Sequence, residues 1–538
     1  MNEQLPAEHG GLSRAEFLRR AAHSGIGVIA GGGLLAACGG GGGGSKGAPT
    51  TADGVPSSGA RGGRVTLGMA GKGSAETLDA ATASSPIDAA RLFNHYDPLV
   101  RLGTDYEPQA ALAESWESNK DATEWTIRLR QGVEFHDGKT LGADDVIHSM
   151  RRWASVKGHP AGPSMRNVDL QHITKVDDLT IRVPMRSPQG VFLDTLASYN
   201  HVIYAAGTND FEQAPGTGAF KIVSFTPGKE SRSTRNANYW QNGRPYADEL
   251  AIASIDDDSA RLNALQSGTI NVLYGVPFAL AKTLQGAPTA NLLRGQSASP
   301  DVFVMRVDKP PFDNADVRLA FKLLVDRQAL VDNVYNGFGQ INNDIMGKGL
   351  RFYAADIPQR ERDVERAKSL LRKAGRQGVS VTLQTAPVLP GVVEAATLFA
   401  QQAKDAGIEA SIKREQANAY FNPTLLYLKM TFCQSFWALT TIPAFCTQGL
   451  IGNGPFNETH QQDPLFDRMV EEAASLADEN AAARAWRDVQ QYQYDNSGYI
   501  VAGSRDDLAA TTKSVSGLKA GGPYGLDNFS LVDASVTA

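Results

Sequence analysis

Apolar and polar positions divide the chain beyond residue 63 into two parts of different character. The first part opens on a strand, Arg64-Val65-Thr66-Leu67-Gly68-Met69, and a helix is expected over 87–93. Glu124-Trp125-Thr126-Ile127-Arg128-Leu129 alternates apolar and polar residues, as a half-buried strand does, and Thr180-Ile181-Arg182-Val183 repeats that pattern. The second part turns helical. Asn314 is placed to cap a helix in which Val317, Ala320, Phe321 and Leu324 share one face. Asp326 restarts a helix running to Gly337, and Asp363 caps another that ends before Gly375. A strand over 379–383, a helix over 392–406 stopped by Gly407, and a strand over 408–412 form a strand–helix–strand unit. That order predicts a parallel crossover and an α/β lobe. Helices over 463–477 and 481–494 and a strand over 498–502 complete the pattern, and no internal repeat occurs.

The first forty residues have a different logic. Arg14, Arg19 and Arg20 precede an uncharged stretch over 21–37 whose apolar residues are Ile26, Val28, Ile29, Leu34 and Leu35. Basic, then apolar, then small residues is the layout of an export signal. The stretch is too short and too glycine-rich for a stable membrane span. Its end, Leu35-Ala36-Ala37-Cys38, resembles the lipobox of bacterial lipoproteins, which implies acylation of the Cys38 thiol and cleavage before it. Acyl chains there would hold a soluble domain at a membrane surface. Ser13-Arg14-Ala15-Glu16-Phe17-Leu18-Arg19 resembles a twin-arginine signal with alanine in place of the second arginine. Residues 39–63, rich in Gly, Ser, Ala, Pro and Thr, read as a flexible tether.

The rest is long enough for two or three domain-sized cores. A formal net charge of −6 gives none of the basic footprint that nucleic-acid binding needs. Besides Cys38 there are only Cys433 and Cys446; in an oxidising compartment they either bridge or stay as buried free thiols.

Five segments, in order, carry a family resemblance. They are Tyr96-Asp97-Pro98-Leu99-Val100 with 108–116; 125–138 with Ala143-Asp144-Asp145-Val146; Gly216-Thr217-Gly218-Ala219-Phe220 with 235–240; Ala264-Leu265-Gln266-Ser267-Gly268; and Val317-Arg318-Leu319-Ala320-Phe321 with Asp326-Arg327. Together they resemble the family 5 bacterial extracellular solute-binding proteins. The resemblance implies an α/β, two-lobed periplasmic-binding-protein fold of type II, with an extra domain inserted in the first lobe and a ligand cleft that closes on a hinge. The expected division is a signal over 1–38, a tether over 39–63, lobe I over 64–105 and 213–300, the inserted domain over 106–212, lobe II over 301–505, and a return to lobe I over 506–538.

Several local motifs invite chemistry and read more simply as structure. Phe135-His136-Asp137-Gly138 lacks a second nearby histidine and reads as a turn between strands. Asp256-Asp257-Asp258 lacks the spacing of a calcium loop and reads as a helix start capped by Asp258 or Ser259. Gly216-Thr217-Gly218 lacks the lysine and spacing of a phosphate loop; the resemblance puts it near a lobe crossing, where glycine permits unusual backbone angles. No metalloprotease helix, nucleophile elbow or Cys-x-x-Cys motif occurs.

Peptide binders of this family hold the ligand's amino terminus with an aspartate just after a tryptophan in the second lobe. Here the tryptophan is Trp437, while Thr440 stands about where the aspartate would be. Threonine cannot neutralise an ammonium in a buried cleft, which argues against a free-amine peptide. Phe436 and Trp437 offer stacking surfaces, and His95 and Tyr96 lie where the family's cleft wall begins. The expected protein is a non-enzymatic, monomeric binding component of an ABC importer, without cofactor or metal, lipid-anchored outside the cell or periplasmic. Its partners are a peptide or small polar solute and the permease and ATPase subunits. The competing expectation is a lipid-anchored sensor or hydrolase that reuses the fold.

Overall fold

Two open sheets organise the chain, and each takes its hydrophobic faces from period-2 burial. The computed structural model describes residues 59–421, 427–438 and 441–537. A seven-stranded sheet orders its strands as 290–295, 507–512, 272–274, 64–69, 249–254, 230–235 and 220–226. The strand Arg64–Met69 is the hub, parallel to both neighbours, while the outer pairs are antiparallel. Val65, Leu67, Leu250 and Ile252 face one core, whereas Leu273, Leu292 and Ala510 face another.

The second sheet orders its strands as 339–341, 499–505, 300–305, 432–436, 380–385 and 409–414. Every residue of its central strand Pro300–Met305 is buried. Val302 and Val304 point into a core with Tyr420, Phe466 and Trp486; Phe303 and Met305 point the other way, to Phe321, Phe399 and Phe432. A strand covered on both faces reads as a continuous apolar run, and Val302-Phe303-Val304-Met305 is one. Ser380–Thr385 and Glu409–Arg414 pair in parallel across the helix Val392–Ala403, as the crossover expectation required.

Between the first strand and 220–226 the chain builds a separate four-stranded sheet of 113–118, 124–129, 180–184 and 174–177 with its own core around Trp125, Ile127, Val146 and Trp153. This unit is inserted into the first lobe's sequence.

The caps fall largely where side-chain oxygens can accept the orphan amides of a first turn. Asn314 accepts from Asp316 and Val317, Asp326 from Ala329, and Asp363 from Arg366. Gly375 and Gly407 follow their helices in the left-handed region. Two details differ from expectation. The acidic run is capped by Asp257, one residue earlier, which accepts from Ala260 N. Gly216 and Gly218 are required for close packing rather than for unusual backbone angles: a Cβ at Gly216 would lie 1.8 Å from His95 O, and one at Gly218 would lie 2.5 Å from His95 C. The Phe135–Gly138 segment is a turn, with Gly138 N donating to Phe135 O and Gly138 at φ +88.

Candidate functional site

The two large sheets are joined by only two short crossings. One runs over 296–299, from the strand ending at Gly295 to the strand starting at Pro300; the other is Asp506, between Arg505 and Asp507. Few residues therefore absorb any change in lobe angle. They carry an unusually charged set of contacts. Asp301 accepts from Tyr335 Oη at 3.0 Å and from Arg505 at 3.3 Å, Asp506 accepts from Arg294 Nε at 2.5 Å, and Tyr274 Oη donates to Asp507. Burial pushes the Asp507 carboxyl up to about 6, with Arg505 and Tyr274 opposing that rise. Tyr106 packs beside the first crossing: its hydroxyl donates to Gly522 O and accepts from Ala298 N at 3.1 Å.

Beside Tyr106 a narrow crevice with free space of about 10 Å³, room for about one water molecule, lies between the first-lobe side of the chain and the second lobe. Leu102, Tyr106, Pro108 and Asp194 line one side, and Arg351, Phe352, Thr441 and Pro443 line the other. Arg351 Nη1 donates to Asp194 Oδ2 at 2.7 Å, pairs with Glu479, and sits 4.5 Å over the Phe352 ring. A second contact closes the same side: Gly190 N donates to Ala474 O at 2.8 Å, so near that a Cβ at Gly190 would lie 1.8 Å from Leu476 O.

Trp437 follows the strand Phe432–Phe436, and its backbone N–H donates to Pro300 O at 3.2 Å, directly after the first crossing. Its half-buried indole meets Phe445 edge-on at 4.8 Å, and the helix of Phe445 begins beside the crevice residues Thr441 and Pro443. Indole Nε1 donates to Glu458 Oε2 at 3.3 Å. Phe436 packs edge-on against Phe421 at 5.3 Å. Thr440 and Cys38 lie outside the described residues.

His95 and Tyr96, expected near the cleft wall, do not line this crevice. Both are buried in the first lobe, where His95 Nε2 and Tyr96 Oη donate to Ala214 O and His95 Nδ1 accepts from Ile222 N. Their polar atoms are thus engaged with backbone partners of the first lobe. Cys433 and Cys446 are likewise not bridged. Both are fully buried free thiols in one core, and burial raises both thiol pKa values. They pack as small apolar side chains.

Among the described residues no group of three or more His, Cys, Asp or Glu side chains is arranged to hold a metal ion, and no helix is long and apolar enough to cross a membrane. Sequence reasoning missed Tyr106, Asp194, Arg351 and Glu458. All four lie in connecting segments or one-turn helices, where no periodicity announces a role.

Comparison with known proteins gives the architecture its relatives. The chain is 26% identical over 476 residues to heme-binding protein A of Haemophilus influenzae, covering 82% of this chain and 86% of the relative. It is 24% identical over 466 residues to the glutathione-binding protein GsiB of Salmonella typhi, covering 82% and 89%. The ABC transporter-associated periplasmic binding protein DppA of Helicobacter pylori, solved with the peptide STSA, superposes with a TM-score of 0.75 at 21% identity, over 89% of this chain and 99% of that one. The family model for bacterial extracellular solute-binding proteins, family 5 Middle, matches residues 107–444. The chain belongs to the bacterial extracellular solute-binding proteins of family 5.

Proposed function

We propose that this protein is the capture component of an ABC importer and takes a small polar solute or peptide into the crevice between the inserted unit and the second lobe. The observation that carries the reading is the lining of that crevice from both sides: Tyr106 and Asp194 oppose Arg351, Phe352 and Thr441 beside the two crossings. As it stands the crevice has room for about one water molecule, so a ligand enters only when the crossings let the lobes open, and closure then buries it. The ligands of relatives, glutathione and the peptide STSA among them, support a polar solute of peptide size. Trp437, Phe436 and Thr440 are the second-lobe side chains assigned to the ligand, the two aromatic rings supplying stacking surface. The inserted domain occupies 106–212 and the second lobe 301–505. Cys38 carries the lipid that holds the protein at the outer face of the membrane, and the protein acts as a monomer.

Trp437→Ala tests the reading. If the indole is a ligand anchor, binding of the solute released from the purified protein weakens by roughly 1–3 kcal/mol while the fold persists. If the indole serves only the core, the melting temperature falls and the affinity of the folded fraction stays unchanged. Conversion of the solute into a new product would overturn the transport role.

A further inference from the structure

Glu458 is the unexplained group of the second lobe. It lies in the loop between Leu450 and the helix Pro464–Ser475 and is 3% exposed. Oε1 accepts from Ser435 Oγ at 2.5 Å, and Oε2 accepts from Tyr499 Oη at 2.8 Å and Trp437 Nε1 at 3.3 Å. The other titratable groups facing it, Tyr420, Tyr427 and Cys433, are neutral acids with raised pKa values. None of the ion pairs among the described residues includes Glu458. A buried carboxylate without a positive partner is costly, and three neutral donors offset only part of that cost. A glutamine would satisfy the same shape without a charge, so a role for the charge itself is indicated.

We propose that Glu458 is a positioning and specificity-setting residue of the ligand site, fixing the Trp437 indole and supplying the negative potential that selects solutes carrying an ammonium or guanidinium group. The proposal rests on the reading that Trp437 lines the ligand cleft. A cation is attracted to the face of an indole, and the attraction grows where the site is desolvated. A carboxylate accepting from the indole N–H adds negative charge to the ring's side of the cleft. The charge that Thr440 cannot provide is thus placed behind the tryptophan instead of after it in the chain. Burial pushes the Glu458 carboxyl up to about 7, against the lowering pull of Ser435, Tyr499 and Trp437. A bound cation favours the ionised form, so binding is coupled to release of a proton, and cations bind better above pH 7 than below it.

The test uses tetramethylammonium chloride as the probe, with sodium chloride at matched ionic strength. The Trp437 fluorescence is isolated by subtracting the signal of a Trp437→Phe variant. Wild-type protein should show a saturable change with the probe, with an apparent affinity at least fivefold higher at pH 8 than at pH 6. Glu458→Gln should bind no better than wild type at pH 6 and show no pH dependence. Equal pH profiles in the two proteins, or a signal indifferent to the cation, overturn the role of Glu458. If Glu458→Gln does not fold, a flat wild-type profile overturns it alone. Acrylamide quenching separates this failure from failure of the underlying reading. An indole that acrylamide cannot quench overturns the placement of Trp437 in the cleft; a quenched indole indifferent to the probe overturns only the Glu458 proposal.

Discussion

Arg351 of the second lobe reaches Asp194 of the inserted unit at 2.7 Å, and both side chains are largely withdrawn from water. The pair spans the crevice, so it exists only while the two sides are close. Asp194→Asn removes the charge and keeps the shape. It should weaken solute affinity by roughly 1–3 kcal/mol, mainly through faster release, because truncating one partner of a desolvated pair acts on the off-rate. Small-angle scattering of the solute-bound variant should show a larger radius of gyration than wild type. Unchanged release and an unchanged radius would remove the pair from the closure mechanism.

Stability should fall on acidification through buried histidines. Burial lowers His95 and His201 to about 3 and His136 and His159 to about 4, each from an ordinary value near 6.5. The folded state keeps these rings neutral while the unfolded chain protonates them. Their contribution is present above pH 6.5 and is lost as pH falls toward 3, by roughly 1–2 kcal/mol each at pH 5. Glu458 acts in the opposite sense: its raised pKa makes stability fall as pH rises from about 4.5 to about 7. Denaturant melts from pH 5 to pH 8 should therefore show Glu458→Gln gaining on wild type toward pH 8. A difference between the two proteins that is independent of pH would contradict this.

Two glycine substitutions should separate close packing from backbone angle. Gly216→Ala drives a methyl into the His95 carbonyl, and the neighbouring backbone must move. Gly138→Ala meets no atom within 4 Å and is strained only by its φ of +88. The second should cost about 1 kcal/mol and the first more, at least about 2 kcal/mol. Thermal melts that rank them in the reverse order would falsify the packing account.

Cys38 is expected to carry the anchor. Cys38→Ser should release the protein from the membrane fraction and remove the acyl mass from the mature chain. The two remaining cysteines should stay unreactive toward a thiol reagent in the native protein and titrate as two thiols after unfolding, because both are buried and unbridged. A membrane-bound Cys38→Ser protein, or an unfolded chain without free thiols, would contradict these assignments.

Much of the fold was legible because caps and periodicity are local. Asn314, Asp326 and Asp363 each announce a helix, and the alternation at 124–129 and 180–183 marks two strands that do pair. The site was less legible because it is assembled by tertiary placement. Arg351 meets Asp194 across 157 positions of sequence, and Tyr106 meets Ala298 across 192. No spacing rule reaches so far. His95 and Tyr96 lie at the end of a helix with a buried face, and their polar atoms are used by Ala214 and Ile222; that use cannot be seen without the fold. Trp437 was found through the family resemblance, which implies a tryptophan there, while its partner Glu458 sits in a loop that no motif marks.

The central claim is that a solute is captured unaltered between the lobes, and mass spectrometry of the natively purified protein tests it most directly. Denaturation should release a small molecule at up to one equivalent. The same molecule, added back to refolded protein, should raise the melting temperature progressively with concentration, since a ligand that binds only the folded state stabilises it by mass action. It should be recovered chemically unchanged, and Arg351→Ala and Trp437→Ala should each reduce the shift. A released molecule that the refolded protein converts into another product, or one whose stabilisation is indifferent to both substitutions, would contradict the account.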